Sequence, residues 1–443
     1  MNYDENKLKA NWDWVDLSHI DFQNAFNKIF NTNENLFILG PGGCGKSVLL
    51  KMAADLLKGN TVVLSTTGVS AANLISENIA TQTIHSFFGL PPVTVYDKSY
   101  FKEEKADIIG SVNTYLIDEV SMMNASLMET IMSLIKGYSK FNKSKPRVIL
   151  FGDIFQLPPV IEKSNEVISD FFDRQFDGKY MFFNAPNYAK NNFQLIHLNN
   201  IYRQKNAEWQ GVLNRIRLGR HTKEDIKLIN SRIVDTDEFI RKHDYMLYLS
   251  GTNSSVTNIN DFYMDYVDTR TYTGTVIGNF DLSKKGNLLE VVTLAVGMQV
   301  MITHNNREKG YQNGIIGKVT FMTKDSVLVE TQDGRTYDVG IEEWDQYEYS
   351  LDPTTGSIRS NIVGSFRQIG CKPAFAITIH KAQGLTLDSV YLNLHSVNFT
   401  EGLAYVALSR CTSLDGIGLK SAIKLSTIKV SKEALEFLER NSL

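Results

Sequence analysis

Cysteine is scarce in this chain: three residues, Cys44, Cys371 and Cys411, among 443. A small, odd number argues against a disulfide framework and points to a reducing compartment. Long apolar runs are also missing. No stretch reaches the roughly 18 residues needed to span a bilayer. The polar, mixed-charge segment from Met1 to Lys9 reads as neither a signal nor a transit peptide. There is no surplus of positive charge either. With 46 Lys and Arg against 49 Asp and Glu, the net charge is −3. That does not advertise nucleic-acid binding, but a groove can be locally basic on a neutral protein. Internal repeats and low-complexity tracts do not stand out. What remains is ordinary globular composition, 43% hydrophobic and 21% charged, in a chain too long for one core. Two to four domains are expected.

The informative stretch is Gly40-Pro41-Gly42-Gly43-Cys44-Gly45-Lys46-Ser47, which fits GxxxxGK[ST]. The run from Asn35 to Leu39 before it reads as a buried strand. Leu49, Leu50, Ala53, Leu56 and Leu57 after it have helical spacing. Strand, glycine loop, helix is the context of a phosphate-binding loop. Glycines let backbone N–H groups wrap an anion without a Cβ clash, and the helix N-terminus adds partial positive charge. Lys46 can reach the β- and γ-phosphates and Ser47 can ligate Mg2+. Cys44 needs only its small size there.

Apolar runs at 36–39, 61–65, 115–118, 148–152 and 194–198 alternate with helical patterns. Such runs predict a parallel sheet covered on both faces. A second series follows at Tyr245 to Leu249, Ala374 to Ile379 and Val390 to Leu394. The fold class is therefore α/β, with two domains of similar type, residues 1–197 and 198–443. Residues 270–365 change character and read as a β-rich insertion. Asp333-Gly334 is the tight hairpin turn between segments Ser326 to Thr331 and Thr336 to Val339. Two local positive clusters stand out: Lys140, Lys143, Lys145 and Arg147, then Arg215, Arg217, Arg220 and Lys223. Such clusters are either solvated faces or nucleic-acid contacts.

Asp118-Glu119 ends the apolar segment Tyr115-Leu116-Ile117. Carboxylates at the C-terminal end of a parallel strand lie where ligands bind. Asp118 can hold Mg2+ through water, and Glu119 can polarise an attacking water. Gln156, just beyond the strand ending at Gly152-Asp153, can orient water or sense the γ-phosphate.

In order and spacing these motifs resemble those of superfamily-1 helicases, specifically the Pif-type branch related to RecD-like DNA helicases. Further segments carry the resemblance: Thr66-Thr67-Gly68-Val69-Ser70, Thr83-Ile84-His85-Ser86-Phe87, Gln156-Leu157-Pro158-Pro159-Val160, Tyr202-Arg203-Gln204, Thr378-Ile379-His380-Lys381-Ala382-Gln383-Gly384 and Tyr405 to Arg410. It spans Gln23 to Arg410. The resemblance implies two RecA-like domains with ATP and Mg2+ between them and single-stranded DNA lying across both. It implies 5′-to-3′ movement, an SH3-like character for the β-rich insertion and a duplex-splitting wedge at about residues 90–106. Gln23 stands for the adenine contact. Gly42, Gly43, Cys44, Gly45, Lys46, Ser47, Val48 and Gly384 form the nucleotide site, with Arg203 and Arg410 as arginine fingers. Thr66, Thr67, Gly68, His85, Ser86, Phe87, Pro91, Pro158, Asn253, Thr378, His380 and Lys381 line the DNA path.

Read from the residues alone, Ser, Thr and His at strand ends can bond phosphate oxygens without reading sequence. Phe87 and Phe88 are either core residues or faces for stacked bases. Two rival functions remain: an ATP-gated DNA-binding switch that does not move, and a ring-forming unfoldase. Two nucleotide-type domains in one chain favour a motor working as a monomer. Its expected substrates are 5′-tailed duplexes and structured DNA such as a G-quadruplex, and its expected place is the cytoplasm, at the nucleoid if the source is bacterial.

Overall fold

The computed structural model describes residues 3–441 apart from 68–69, 72–73, 75–78, 92, 97–99, 142–144, 162–163, 244, 264–267, 283–287, 307, 312, 352–357 and 395–399. Gly68 therefore lies outside the described residues. The chain forms two compact units. One comprises Met1–Tyr202, Tyr347–Asn361 and Ser431–Leu443, the other Arg203–Gln346 and Ile362–Val430. The boundary falls five residues beyond the expected one. The expected extent of the second domain, to residue 443, needs correction: the C-terminal segment belongs to the first unit.

The first unit holds a six-stranded parallel sheet. Its strands are β1 (Leu36–Leu39), β2 (Thr61–Ser65), β3 (Thr81–Thr83), β4 (Thr114–Asp118), β5 (Arg147–Gly152) and β6 (Gln194–His197), in the order β3-β2-β4-β5-β1-β6. The strands β1, β4 and β5 are buried along their whole length, as continuous apolar runs require of a sheet covered on both faces. Strand β3 is short and polar and gave no sequence signal. One face is covered by Phe22, Phe26, Ile29 and Phe30 of the helix Ile20–Asn31 and by Leu49, Leu50 and Ala53 of the helix Lys46–Leu56.

The final helix, Lys432–Arg440, starts on Ser431, whose hydroxyl accepts from the Ala434 amide. Its Phe437 ring lies 4.4 Å from Phe183 and 6.2 Å from Phe37. The Glu433 carboxylate accepts from the amides of Tyr180 and Met181 and from Asn184 Nδ2. These bonds to a charged acceptor are the strong kind. They hold the tail on the first unit.

The second unit carries a four-stranded parallel sheet of β7 (Leu247–Ser250), β17 (Ala376–Thr378), β18 (Val390–Asn393) and β19 (Ile417–Leu419), in the order β17-β7-β18-β19. Between β7 and β17 lies the β-rich region. It runs from β8 (Thr269–Thr273), β9 (Thr275–Gly278), β10 (Val291–Ala295) and β11 (Gln299–Ile302) through β12 (Ile316–Met322), β13 (Ser326–Glu330), β14 (Thr336–Leu351) and β15 (Ile358–Ile369) to β16 (Cys371–Pro373). The ladders β11–β12, β12–β13, β13–β14 and β9–β15 are antiparallel. The predicted hairpin is present: Gly334 turns at φ 77° between β13 and β14. The region extends to Pro373, beyond the expected residue 365.

Lys140 and Lys145 of the first positive cluster and Arg220 and Lys223 of the second are exposed, and Lys143 lies outside the described residues, but the other arginines are taken up by the fold. Arg147 is buried and donates to the carbonyls of Ile29 and Thr32 and to Thr114 Oγ1. Arg217 is buried too, and Arg215 makes a paired contact with Asp225, which also closes a capping box with Thr222.

Candidate nucleotide site and nucleic-acid edge

The phosphate loop leaves β1 at Gly40. A Cβ there would stand 2.5 Å from Cys44 Sγ and 2.8 Å from the Leu198 carbonyl oxygen, so only glycine fits. Gly43 and Gly45 adopt left-handed backbone (φ 83° and 88°), which costs other residues roughly 1–2 kcal/mol. Gly45 opens the helix Lys46–Leu56 with no side-chain cap, leaving N-terminal amides to face an anion. Lys46 Nζ folds back onto the carbonyls of Gly40 and Pro41, at 2.8 and 2.9 Å. Ser47 is exposed and Gly42 buried. Cys44 is also buried, so its side chain plays no part in nucleotide contact; only its backbone can. Gln23 is exposed on the outer side of its helix, next to Phe22, whose ring lies 3.1 Å from a Cβ placed on Gly45.

Asp118 closes β4 in a buried position, and its carboxyl pKa is pushed up to about 7, first by burial and then by the charge of Glu119, against the charge of Lys46. In register beside it on β2 is Ser65, whose buried hydroxyl has no hydrogen-bond partner among the described residues. A buried carboxyl next to a second carboxylate, with an unsatisfied hydroxyl alongside, fits a hydrated divalent cation. Among the described residues there is no group of three or more potential metal-ligating side chains. Such a cation would thus arrive with phosphates, as magnesium commonly does. Glu119 has φ 52° and ψ 43°, a left-handed conformation unusual for this residue type, and its carbonyl accepts from Thr66 Oγ1 at 3.0 Å. Gln156 is buried, its amide donating to the Asp153 carbonyl at 2.9 Å.

The expected DNA contacts separate into three groups. Ser86 is exposed, Pro91 and Pro158 are half-buried, and Thr67 is half-buried with its hydroxyl accepting from the Ser70 amide. His85 is half-buried, with burial lowering its pKa, and Nε2 stands 2.8 Å from the Tyr96 hydroxyl, which donates to the Pro91 carbonyl at 3.1 Å. The expectation for Phe87 is overturned. It is buried with its ring edge-on to Phe88 at 5.1 Å, and Phe88 stacks on Tyr115. Both rings are core.

In the segment expected to be the wedge, residues 90–106, two aromatic rings pack on the first unit, although Phe101 stays 40% exposed. Tyr96 is buried, its amide bonded to Ser126 Oγ, and Phe101 stacks on Tyr138 at 4.3 Å. These rings fasten the segment to the helix Ala125–Phe141. Val93 remains exposed.

In the second unit, His380 and Lys381 are exposed in the turn after β17, and Asn253 is exposed at the start of the helix Asn253–Tyr263. Thr378 is buried, and its hydroxyl accepts from the Lys381 amide, so it shapes the turn instead of facing a strand. Gly384 has φ 87° and is exposed. Arg203 Nη1 donates to the Ser409 carbonyl at 3.2 Å. Arg410 departs most from expectation. Its side chain is 1% exposed, and the guanidinium donates to the carbonyls of Val406 and Leu385 and to Ser409 Oγ. It is not presented as a free finger. Gln204, buried next to Arg203, donates to the carbonyls of Ser409 and Cys411, on both sides of Arg410.

Sequence reasoning missed Tyr202 as a site residue. Its amide donates to the Gly43 carbonyl, its ring edge lies 3.7 Å from a Cβ placed on Gly45, and it is 46% exposed. The only signal was its place directly before Arg203.

The chain as a whole is similar to known helicases. A family model described as PIF1-like helicase matches residues 19–227. The ATP-dependent DNA helicase Pif1 of Campylobacter jejuni is 26% identical over 439 residues, covering 92% of this chain and 95% of that protein. The crystal structure of Bacteroides sp. Pif1 in complex with ADP-AlF4 is 29% identical with a TM-score of 0.86, covering 97% of both chains. That of Pif1 from Bacteroides in complex with ADP-AlF3 and single-stranded DNA is 30% identical with a TM-score of 0.66, covering 96% of this chain and 97% of that one.

Proposed function

The chain belongs to the PIF1-like helicase family and is an ATP-hydrolysing DNA helicase; we propose that it moves 5′ to 3′ along single-stranded DNA and opens duplex or structured DNA, acting as a monomer. One observation carries the chemistry. The phosphate loop after β1, Asp118-Glu119 at the end of β4 and Thr66 after β2 all lie at the C-terminal edge of one sheet of the first unit, β2 beside β4 and β5 between β4 and β1.

Lys46 exchanges the carbonyls of Gly40 and Pro41 for β- and γ-phosphate oxygens. The uncapped amides at Gly45 and beyond face the same phosphates. Glu119 takes the proton of the attacking water, and Gln156 orients it. Ser47 and Asp118 would hold a magnesium ion, which supplies charge neutralisation on the phosphates. Arg203 and Arg410 add positive charge at the γ-phosphate. For Arg410 this requires exchanging the Leu385 carbonyl and the Ser409 hydroxyl for phosphate oxygens. Ser86, His85, Thr67, Asn253, His380 and Lys381 contact the strand through phosphates, giving binding that ignores base sequence. The segment 90–106 acts as the wedge, with Val93 rather than Tyr96 as its apolar surface.

Strand displacement on duplexes with a 5′ tail, a 3′ tail or a 5′-tailed quadruplex tests the proposal. Unwinding of the 5′-tailed substrates alone is expected. Unwinding only from 3′ tails would reverse the polarity, and DNA-stimulated hydrolysis without unwinding would make the chain an ATP-gated clamp.

A further inference from the structure

We propose that Asp21 is a positioning residue for the nucleotide: its carboxylate fixes the segment from Asn199 to Tyr202 and so places the Tyr202 ring as a rest for the base. The inference rests on the nucleotide site proposed above and concerns its base end. Strand β6 lies at the edge of its sheet and ends at His197. The chain then runs along the phosphate loop. The Leu198 amide donates to the Leu39 carbonyl and the Tyr202 amide to the Gly43 carbonyl, both at 2.8 Å. Between these anchors the amides of Asn199 and Asn200 turn to Asp21. They donate to Oδ2 at 2.6 and 3.3 Å, and Asn200 Nδ2 donates to Oδ1 at 3.2 Å. The carboxylate is itself held, because Oδ1 also accepts from the Phe22 amide at 2.8 Å.

Asp21 sits in the first turn of the helix Ile20–Asn31, where the helix dipole favours a carboxylate. Burial alone would raise its pKa, but the amides of Asn199, Phe22 and Asn200 hold it below the ordinary value. It is therefore charged at neutral pH, and hydrogen bonds to a charged acceptor are stronger than those between neutral groups. The same helix carries Phe22 and Gln23. The rings of Phe22 and Tyr202 converge on one point, 3.1 and 3.7 Å from a Cβ placed on Gly45, the residue that opens the phosphate-binding helix. His19, which precedes the helix Ile20–Asn31, meets Tyr202 at a ring distance of 5.7 Å. Phe22 is buried and backs the loop, whereas Tyr202 is open to solvent, so its ring can take a base. Gln23, two residues beyond Asp21, is exposed as well. Without Asp21 the Asn199 and Asn200 amides turn to water, and the Tyr202 ring loses the tie between its segment and the helix Ile20–Asn31. Lys46 and the amides of the phosphate loop are untouched by that loss. Asp21 thus acts on the base and not on the phosphates.

The test measures DNA-stimulated ATP hydrolysis by the full chain and its inhibition by ADP and by tripolyphosphate, an anion with no base. Asp21→Ala should raise KM for ATP and weaken ADP roughly tenfold, the order of one lost base–ring stack. Its kcat should stay near wild type, and tripolyphosphate should inhibit as before. A KM change without a kcat change marks binding lost equally from substrate and transition state. Tyr202→Ala should behave alike, and the double variant should be no worse than Tyr202→Ala, because one residue acts through the other. Asp21→Asn keeps the shape and spares the fold, but its amide must turn a donor toward one of these N–H groups. It should show the same base-specific loss. Equal weakening of ADP and tripolyphosphate, or losses that add in the double variant, would overturn the proposal. Wild-type ADP affinity in Tyr202→Ala would do so too. Wild-type turnover in Lys46→Ala would instead take down the nucleotide site itself, and the role of Asp21 with it.

Discussion

The Thr66 hydroxyl donates to the carbonyl oxygen of Glu119 at 3.0 Å. It joins the loop after β2, expected to touch DNA, to the residue expected to activate water. Glu119 is held there in left-handed backbone, a conformation that persists only where its surroundings fix it. On the proposed roles of the two loops, the bond would couple strand occupancy to the position of the Glu119 carboxylate. Thr66→Val should cost about 1 kcal/mol of stability, as one hydrogen bond does. Its main effect should be a several-fold drop in stimulation of ATP hydrolysis by single-stranded DNA, with DNA-free turnover nearly unchanged. Steady-state assays with and without oligonucleotide read both quantities, and an unaltered stimulation ratio would sever the link.

Lys46→Ala should nearly abolish turnover, because no other side chain of the loop carries charge to the phosphates. Glu119→Gln should still bind ATP and DNA but hydrolyse slowly. Nucleotide binding followed by fluorescence, alongside turnover, separates the two defects. Turnover within a few-fold of wild type in either variant contradicts the roles assigned here.

Asp118 gives a pH dependence of definite sign. Its folded pKa, about 7, lies above the ordinary 3.8. The folded chain therefore holds this proton more tightly than the unfolded chain, and stability from this group declines as pH rises from about 4 to 7. Asp118→Asn should raise Tm in metal-free buffer at pH 8 and have little effect at pH 4. Magnesium needs the ionised form, so its apparent affinity in the presence of nucleotide should fall towards tenfold per pH unit below about 7. Magnesium titrations at pH 6, 7 and 8 check this; a flat profile would remove Asp118 from the metal site.

Arg410 should show two losses at once. Removing a finger costs roughly 10³-fold or more in related hydrolases. Arg410→Ala also strips donors from the carbonyls of Val406 and Leu385 in a buried place, which should lower stability by about 1–3 kcal/mol. Gln204→Ala removes donors to the peptides on either side of Arg410 without touching its guanidinium. It should lower turnover less than Arg410→Ala while leaving ADP affinity intact. Arg410→Ala with full activity and a lowered Tm would make Arg410 purely structural.

The wedge assignment separates Val93 from Tyr96. Val93→Asp should slow duplex unwinding while leaving DNA-stimulated hydrolysis near wild type. Tyr96→Ala should lower Tm, since it vacates a buried ring and the hydroxyl between His85 and Pro91. Unwinding assays beside thermal melts decide it, and unchanged unwinding in Val93→Asp would place the wedge surface elsewhere.

Much of this protein was determined by its sequence alone. The glycines at 40, 43 and 45, with Lys46 and Ser47, define a phosphate loop because left-handed backbone and close approach are local demands that only glycine meets. The buried strands β1, β4 and β5 were legible because a sheet covered on both faces needs uninterrupted apolar runs. Asp118-Glu119 could be placed because a strand end fixes where its last residues sit. Tertiary structure decided the rest, since a residue's type does not say what will cover it. Arg147 and Arg217 read as surface charge, yet long-range packing buried them. Phe87 and Phe88 suited either a base or the core until Tyr115 packed against them. Thr378 went to its own turn, Arg410 to the carbonyls around it, and Tyr202 to the edge of the phosphate loop. The last helix joined the first unit because Glu433 and Phe437 meet partners about 250 and 400 residues away, a pairing that no local pattern in the chain encodes.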